Sequence, residues 1–337
     1  MQDTIDYDLQ CFILRLSSEN EDFSQQLQWF VEPLRMTSSA QDSHRPVANV
    51  RCRLVKDFDA MAGFEEDEPS PVRFEIFGEV SALQQPGRIR YFVEGAFSLT
   101  LSEAGEAKIG AVDLDVCPTC SSNQISLCSV LAFDHSTRAG KACLIHSSCL
   151  DTPDGDRFLV MAESGVGKTT TSLKLARAGM PLSGDDTTLV WVQDGRCVGF
   201  GIPRPARVSK DALSRVDGLA AIVKSDAWDA EDEQELTRDQ LSSFVTLTGF
   251  EAKPIAAVVH LTRSRTGPAA VTDLVPAEAM SVALAENITM ARSGMTNHQM
   301  ERFNLYAHLF GDSRCLQLEL GDDDATFVAD LNKAISD

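Results

Sequence analysis

The chain has 337 residues, of which 50 are Asp or Glu and 30 are Lys or Arg, so its formal net charge is −20. This charge argues against a nucleic acid partner, because a polyanion has to be met by a local basic surface. No apolar run is long enough for a membrane helix, and the acidic amino terminus differs from a secretory signal. We therefore expect a cytoplasmic protein with no membrane contact.

Residues 1–125 predict an α+β region, because strand-like runs alternate there with polar loops. The runs with strand alternation are Gln10–Leu16, Val72–Phe77 and Arg90–Glu94, and the most polar loops are Thr37–Arg45 and Phe64–Pro71. The region contains no internal repeat or low-complexity tract that would indicate its chemistry.

Nine cysteines are scattered along the chain, and Cys117-Pro-Thr-Cys120 is the single C-x-x-C sequence. Zinc would need a second pair, or histidines at comparable spacing. A redox pair would need a preceding strand and a following helix, which the sequence does not indicate. We expect reduced loop cysteines, with a metal or redox role as the alternative.

A phosphate-binding loop is predicted in the middle of the chain. The apolar run Arg157–Met161 leads into Ala162–Thr170, and the helix formers Thr171–Ala178 follow and end before Gly179. Strand, glycine-rich loop and helix in this order are the context that supports such a loop. Ala162 stands where the usual pattern has its first glycine, so a chance match in an ordinary strand, loop and helix is the alternative.

The residue types in this loop suit a polyphosphate. Gly165 and Gly167 let the backbone N–H groups turn inward, Lys168 reaches the outer phosphates, and the Thr169 hydroxyl can ligate Mg²⁺. The positive end of the helix dipole is directed at the same anion. The predicted nucleotide-binding residues are Ser164, Gly165, Val166, Gly167, Lys168, Thr169 and Thr170.

Two adjacent carboxylates, Asp185 and Asp186, follow Gly184 and precede another apolar run. In most P-loop NTPases the corresponding aspartate ends a hydrophobic strand much further downstream. Considered alone, Gly-Asp-Asp is ordinary turn chemistry. A tight turn can nevertheless bring neighbouring side chains to one site, so the pair can also serve phosphoryl transfer.

The compact order of these segments resembles the HPr kinase/phosphorylase family, whose fold is related to phosphoenolpyruvate carboxykinase. The residues that carry the resemblance are His146, Ala162–Thr169, the helix to Gly179, and Asp185 with Asp186. It implies an α/β fold: an HPr kinase-like P-loop core with a mixed sheet over residues 126–337, closed by C-terminal helices, beside the α+β region 1–125.

The resemblance also implies roles for single residues. Asp185 would be the general base toward an acceptor hydroxyl, Asp186 a metal-side carboxylate together with Thr169, and His146 a neighbour of the transferred phosphate. Arg204 or Arg207, in a Pro-Arg-Pro segment, would contact phosphate on the acceptor side, since arginine suits bidentate phosphate contacts. A core histidine and solvated arginines are the alternatives.

The remaining predicted elements lie downstream. The residues Gln193-Asp194-Gly195 predict a hairpin turn between two strand-like runs. An apolar strand is predicted at Ile255–Leu261, and helices at Pro276–Asn287 and Asn297–Phe310.

The predicted function is that of a bacterial, ATP-dependent and Mg²⁺-requiring phosphotransferase. It would transfer the γ-phosphate to a hydroxyl, preferably of serine, in an unidentified protein, peptide or small molecule that residues 1–125 could select. HPr itself is not the expected acceptor, because the glycine- and asparagine-rich signature of HPr kinase proper has no counterpart after Pro203. The chain would thus be a divergent member, and a homo-oligomer is possible.

Three alternatives stay open at this point. The first is a nucleotide-binding regulator or pseudokinase without phosphoryl transfer, and the second is a kinase with reversed, phosphorolytic chemistry. The third, a conventional P-loop ATPase, requires a downstream hydrophobic strand that ends in Asp. The strand Ile255–Leu261 is followed by Thr262 and Arg263 instead.

Overall fold

The computed structural model describes residues 4–36, 45–64, 68–74, 78–102, 110–224, 228–229, 231–264, 267–287, 297–321 and 327–336. They form a mixed α/β protein, in agreement with the predicted fold class at this coarse level. The chain divides into two compact units, Met1–Cys143 with Met290–Glu301, and Leu144–Thr289 with Arg302–Asp337. Within the described residues, every helix is too short or too polar to cross a bilayer.

The first unit is built on one mixed sheet of eight strands. These are β1 (Thr4–Asp8), β2 (Ile13–Ser18), β3 (Val47–Leu54), β4 (Ser70–Phe74), β5 (Gly78–Gln85), β6 (Arg88–Val93), β7 (Phe97–Ser102) and β8 (Val112–Val116). Their order across the sheet is β1, β2, β3, β8, β7, β6, β5, β4. Strand β3 is parallel to both of its neighbours, and the other pairs are antiparallel.

The predicted strands of this region fall on β2, β4 and β6 with shifted ends. The predicted loop at 37–45 lies outside the described residues except for Arg45, and the end of the predicted strand at 75–77 also lies outside them. Of the predicted loop at 64–71, residues 65–67 lie outside the described residues, and its last two residues, Ser70 and Pro71, belong to β4. Alternating polar and apolar residues locate a strand, but pairing with the neighbouring strands decides where it begins and ends.

Two helices, α1 (Glu21–Val31) and α2 (Ser122–Ser136), pack against each other in the first unit. Helix α1 begins after Asn20, whose side chain accepts the Phe23 N–H at 2.8 Å. Helix α2 begins at a capping box formed by Ser121 and Gln124, and it also packs on β3, β7 and β8. Helix α2 thus belongs to the first unit, whose first segment runs to Cys143.

Cys117 and Cys120 lie between β8 and α2, so a strand precedes the pair and a helix follows it. The expectation that this context is missing was wrong, because β8 is a short run whose strand conformation depends on pairing with β3 and β7. None of the nine cysteines, all of which are described, forms a disulfide. Burial raises the pKa of the Cys120 thiol to about 11, so little reactive thiolate is present at neutral pH.

The second unit is built around another mixed sheet. Strand β9 (Ala142–Ile145) comes before the other strands of this part of the chain and contains the point at which the two units divide. The strands of this sheet are β10 (Ser148–Asp151), β11 (Arg157–Met161), β12 (Leu182–Gly184), β13 (Thr188–Gln193), β14 (Arg196–Gly201), β17 (Lys253–Arg263), β18 (Ala270–Asp273) and β19 (Arg314–Leu320), and a separate pair is formed by β15 (Ala206–Ser209) and β16 (Glu233–Leu236). The order across the sheet runs β12, β10, β11, β17, β14, β13. Strand β17 is parallel to both β11 and β19.

The helices of the second part of the chain are α3 (Lys168–Arg177), α4 (Arg238–Ser242), α5 (Pro276–Asn287), α6 (Asn297–Asp312) and α7 (Phe327–Ser336). Side chains of α3 and α7 join those of β11, β17 and β19 in one apolar core. The β13–β14 hairpin and the bounds of β11 and α5 agree with the sequence predictions.

The C-terminal part of the chain also contains a strand that was not predicted, since β19 lies between α6 and α7 in sequence. Its residues alternate, with Leu316, Leu318 and Leu320 buried and the intervening positions half-buried. Period-2 alternation of this kind is the pattern of a strand.

A buried ion cluster holds β11 in the sheet. The Arg157 guanidinium is completely buried, and its Nε and Nη2 donate to the two carboxylate oxygens of Asp151 at 2.8 and 3.2 Å. Lys253, at the start of β17, donates to the same carboxylate at 2.6 Å.

Replacing Asp151 with alanine should therefore destabilise the second unit by about 3–5 kcal/mol, because it leaves a buried guanidinium without its counter-ion. Urea unfolding followed by tryptophan fluorescence measures this cost. The control is Asp156→Ala, an exposed carboxylate of the adjoining turn, which should change stability by less than about 0.5 kcal/mol. Equal effects of the two substitutions would contradict the prediction.

Candidate functional site

The glycine-rich loop connects the end of β11 to the start of α3. Strand β11 ends at Met161, and α3 begins at Lys168. Gly165 has φ +81° and Gly167 has φ +111°, a left-handed region that residues with a Cβ rarely adopt. The loop therefore depends on glycine at both positions, and its backbone curls immediately before the helix N-terminus.

Arg263 contacts this loop from the neighbouring strand. It lies at the carboxyl end of β17, and its Nε and Nη2 donate to the Val166 carbonyl oxygen at 3.3 and 3.1 Å. A Cβ at Gly167 would lie 3.1 Å from the same guanidinium. The sequence does not indicate this role of Arg263, because the parallel pairing of β11 with β17 that brings Arg263 to the loop is not visible in it.

Asp185 is buried between two hydroxyl groups. Its side chain is enclosed with a relative exposure of 3%. The Thr169 hydroxyl donates to Oδ2 at 2.7 Å, and the Ser148 hydroxyl donates to Oδ1. Ser148, on β10, was not among the predicted site residues, although it follows His146 closely in sequence.

Asp186 is the meeting point of three cationic or ionisable side chains. Lys168 Nζ lies 3.0 Å from Oδ1, Arg204 Nη1 lies 2.9 Å from Oδ2, and His146 Nδ1 lies 3.2 Å from Oδ1. Burial acts to raise the pKa of Asp186, but the positive charges of Lys168 and Arg204 lower it to well below its usual range. Asp186 is therefore ionised at neutral pH.

The two carboxylates diverge because they lie in a turn anchored on β14. Asp186 has φ +71°, and the Thr187 N–H donates to the Asp185 carbonyl at 2.9 Å. Gly184 and Gly201 bring two backbones together here, since a Cβ at Gly201 would lie 2.2 Å from the Gly184 nitrogen. The glycine before the aspartates, Gly184, is also required, because a Cβ there would lie 2.7 Å from the Ile202 carbonyl oxygen.

The structure separates the two arginines of the Pro-Arg-Pro segment. Arg204 points to the site, where it also donates to the Thr187 hydroxyl at 3.0 Å. Arg207 is half-exposed and pairs with the acidic side chains of Asp229, Glu231 and Glu233.

The oxygen donors suit Mg²⁺ on one side of the site. Mg²⁺ is bound by carboxylate and hydroxyl oxygens, usually through one or two carboxylates plus substrate phosphates. The neighbouring oxygens of Thr169 and Asp185 fit this donor set, whereas Asp186 is surrounded by positive charge. The structure thus brings Thr169 to Asp185, while the resemblance pairs it with Asp186.

His146 should titrate below the ordinary value for histidine, which is about 6.5. Burial lowers the pKa of His146, and the charge of Lys168 lowers it further, against the opposing effects of Asp186 and Asp185. We expect the imidazole to be neutral at pH 7, and expect its pKa to rise when Lys168 is replaced by methionine. Histidine NMR titration of both proteins measures this, and an unshifted His146 in the native protein would contradict it.

No family model matches the chain, and no curated protein matches it. Among solved structures, the chain is similar to the Hpr(Ser) kinase/phosphatase from Coxiella burnetii, with a TM-score of 0.28 and 11% sequence identity. The match covers 57% of this chain and 93% of that chain. A similarity at this level carries no argument about function, and the family resemblance seen in the sequence stays a prediction.

Proposed function

We propose that the second unit is a Mg²⁺-dependent kinase that transfers the γ-phosphate of ATP to a hydroxyl group, preferably that of serine. The observation that carries this proposal is a pair of contacts at the start of α3, where Lys168 is paired with Asp186 and the Thr169 hydroxyl donates to Asp185. Phosphoryl transfer depends on positioning of the reactants and on stabilisation of the charge on the transferred phosphate. The site contains a cationic side chain for the phosphates and carboxylates for the metal and the acceptor.

The donor side of the site consists of the loop and two cations. Backbone N–H groups at the start of α3 and the helix dipole favour a bound polyphosphate. Lys168 and Arg204 are held near this end of the helix by Asp186. On binding, phosphate oxygens would take over part of the contacts that Asp186 now makes with these two side chains.

Thr169 and Asp185 form the metal side in this proposal. A metal bound there would neutralise charge on the donor phosphates. Asp185 is fixed by the Ser148 hydroxyl, and burial excludes most water from it. These contacts hold the carboxylate oxygens in place next to the Thr169 hydroxyl.

Asp186 would face the acceptor, since it is about one-third exposed while Asp185 is enclosed. The acceptor oxygen forms a bond to the γ-phosphorus, and the bond from that phosphorus to the bridging oxygen breaks, with its electron pair remaining on the released diphosphate. The hydroxyl proton passes to the Asp186 carboxylate. This exchanges the roles that the family resemblance implies for Asp185 and Asp186.

Transfer of labelled γ-phosphate tests the proposal. The purified chain is incubated with γ-labelled ATP, Mg²⁺, serine-containing peptides and a pool of hydroxyl metabolites, beside a Lys168→Ala variant. Label on a discrete acceptor, absent for the variant and without Mg²⁺, is the expected result. Reaction in the absence of Lys168 would overturn the assigned site.

A nucleotide-binding regulator is a second candidate, and one feature of the site favours it. Both oxygens of Asp185 accept hydrogen bonds, and Asp186 is paired with three side chains, so both carboxylates already have structural partners. Such a protein would bind ATP through Lys168 but would transfer no label to any acceptor. Acceptor selection by the first unit likewise stays a prediction.

A further inference from the structure

A cavity of about 390 Å³ lies beside the first turns of α3 in the second unit. Its lining includes Thr170, Lys174, Ser214, Arg215, Arg263 and Leu320. A volume of this size is within the range of small-molecule sites. None of the functional roles assigned above uses the body of this cavity.

The lining has the chemistry of an anion-binding and hydroxyl-binding site. Three of the lining side chains, Lys174, Arg215 and Arg263, are cationic, and none of the lining residues is acidic. The cavity therefore has a cationic lining in a chain whose formal charge is −20. The hydroxyls of threonine and serine and the side chain of Leu320 complete the lining.

The cavity is continuous with the glycine-rich loop. Thr170 follows Lys168 and Thr169 in the first turn of α3, and Thr170 is also a lining residue. Arg263 lines the cavity and donates to the Val166 carbonyl of the loop. A polyphosphate with its terminal group at Lys168 would therefore extend past Thr170, toward the cavity.

We propose that this cavity receives the nucleoside end of the phosphate donor, namely the α-phosphate, ribose and base of a nucleoside triphosphate. Arg215 and Arg263 supply charge for the α-phosphate and planar guanidinium groups that can stack on a base. The hydroxyl-bearing residues suit the ribose. This inference rests on the proposed kinase function and specifies the donor, which the loop sequence by itself leaves open.

Arg215 is the cleaner residue to test, because Arg263 also supports the loop backbone. Arg215 is exposed and follows the 3-10 helix Lys210–Ser214, so its replacement should not disturb the fold. Lys333 provides a matched control. It is also cationic and lines a cavity of about 400 Å³ in the same unit, with Arg314 and Asp330 among its other lining residues.

The test compares Mg²⁺·ATP with Mg²⁺·tripolyphosphate, which lacks the nucleoside, by titration calorimetry. We expect ATP to bind at least about tenfold more tightly than tripolyphosphate. We expect Arg215→Ala to lower the affinity for ATP by about tenfold. Arg215→Ala should lower the affinity for tripolyphosphate less than the affinity for ATP. Lys333→Ala should leave both affinities unchanged.

Each other outcome has a definite meaning. Equal affinities for ATP and tripolyphosphate, together with no effect of Arg215→Ala on ATP, would overturn the cavity assignment while leaving the loop as a polyphosphate site. Binding of neither compound would overturn the proposed kinase function, and the cavity assignment with it. A loss of ATP affinity in Lys333→Ala as large as that in Arg215→Ala would also overturn the assignment, because the loss would then follow from the change in net charge of the protein.

Discussion

Replacing Lys168 with alanine should weaken Mg²⁺·ATP binding by about 10- to 100-fold, the size expected for loss of a hydrogen-bonded charge contact. Turnover should fall by about 10²- to 10³-fold or more, as when one preorganised donor to developing charge is removed. Lys168 is almost fully buried, with its ammonium 3.0 Å from Asp186, so it is already positioned at the loop. Calorimetry and the phosphate-transfer assay measure the two effects.

The matched control for this variant is Lys210→Ala. Lys210 is an exposed lysine of the same unit, paired with Asp232 on the surface at 3.3 Å. Its removal changes the net charge by the same amount but should alter neither affinity nor turnover. Comparable losses in the two variants would mean that Lys168 acts only through overall charge, which would remove the main support for a phosphate-binding loop.

Replacing the two carboxylates one at a time should affect different steps, turnover for Asp186 and the Mg²⁺ requirement for Asp185. In Asp186→Asn, Lys168 and Arg204 lose a competing anion, so ATP should bind as tightly as before or several-fold more tightly. Turnover should nevertheless fall by about 10²- to 10⁴-fold, the usual contribution of a positioned base. Asparagine tolerates the left-handed backbone at this position, so the turn should persist.

In Asp185→Asn, the main change should be in the metal requirement. The Mg²⁺ concentration for half-maximal activity should rise by about 10- to 100-fold, because a carboxylate next to Thr169 is lost. Steady-state rates as a function of Mg²⁺ measure this shift.

The converse result has a clear interpretation. If Asp185→Asn abolishes turnover at saturating Mg²⁺ while Asp186→Asn raises the Mg²⁺ requirement, then the roles implied by the family resemblance are correct. The present geometry would then describe a resting arrangement that rearranges on binding. If neither substitution affects transfer, the carboxylate pair has no catalytic role.

Local features of the chain were readable from sequence because their causes are local. A strand enclosed on both faces is mostly apolar, as are the four residues of β11 that follow Arg157, and β11 was predicted with its observed bounds on that basis. Glycine is the residue that accepts positive φ, so Gly165, Gly167 and the hairpin residue Gly195 marked sharp turns directly. The helix at Pro276–Asn287 was likewise predicted from its initial proline and its helix formers.

Strand pairing decided the features that the sequence left open. Arg263 contacts the loop because β17 pairs in parallel with β11. Strand β19, which lies between two helices in sequence, also pairs in parallel with β17. Nothing in the residues near Arg263 or in β19 encodes which strand becomes their neighbour. Such pairings depend on contacts between residues far apart in the chain, and these are settled by packing of the whole sheet.

The division of labour within the site was also decided by tertiary structure. The sequence identified Asp185, Asp186, Lys168, Thr169 and His146 as neighbours in function, on motif order alone. It could not say which carboxylate meets the hydroxyls and which meets the cations. That outcome depends on a left-handed turn at Asp186 and on a backbone approach that leaves no room for a Cβ, both of which exist only once β12 and β14 are packed together.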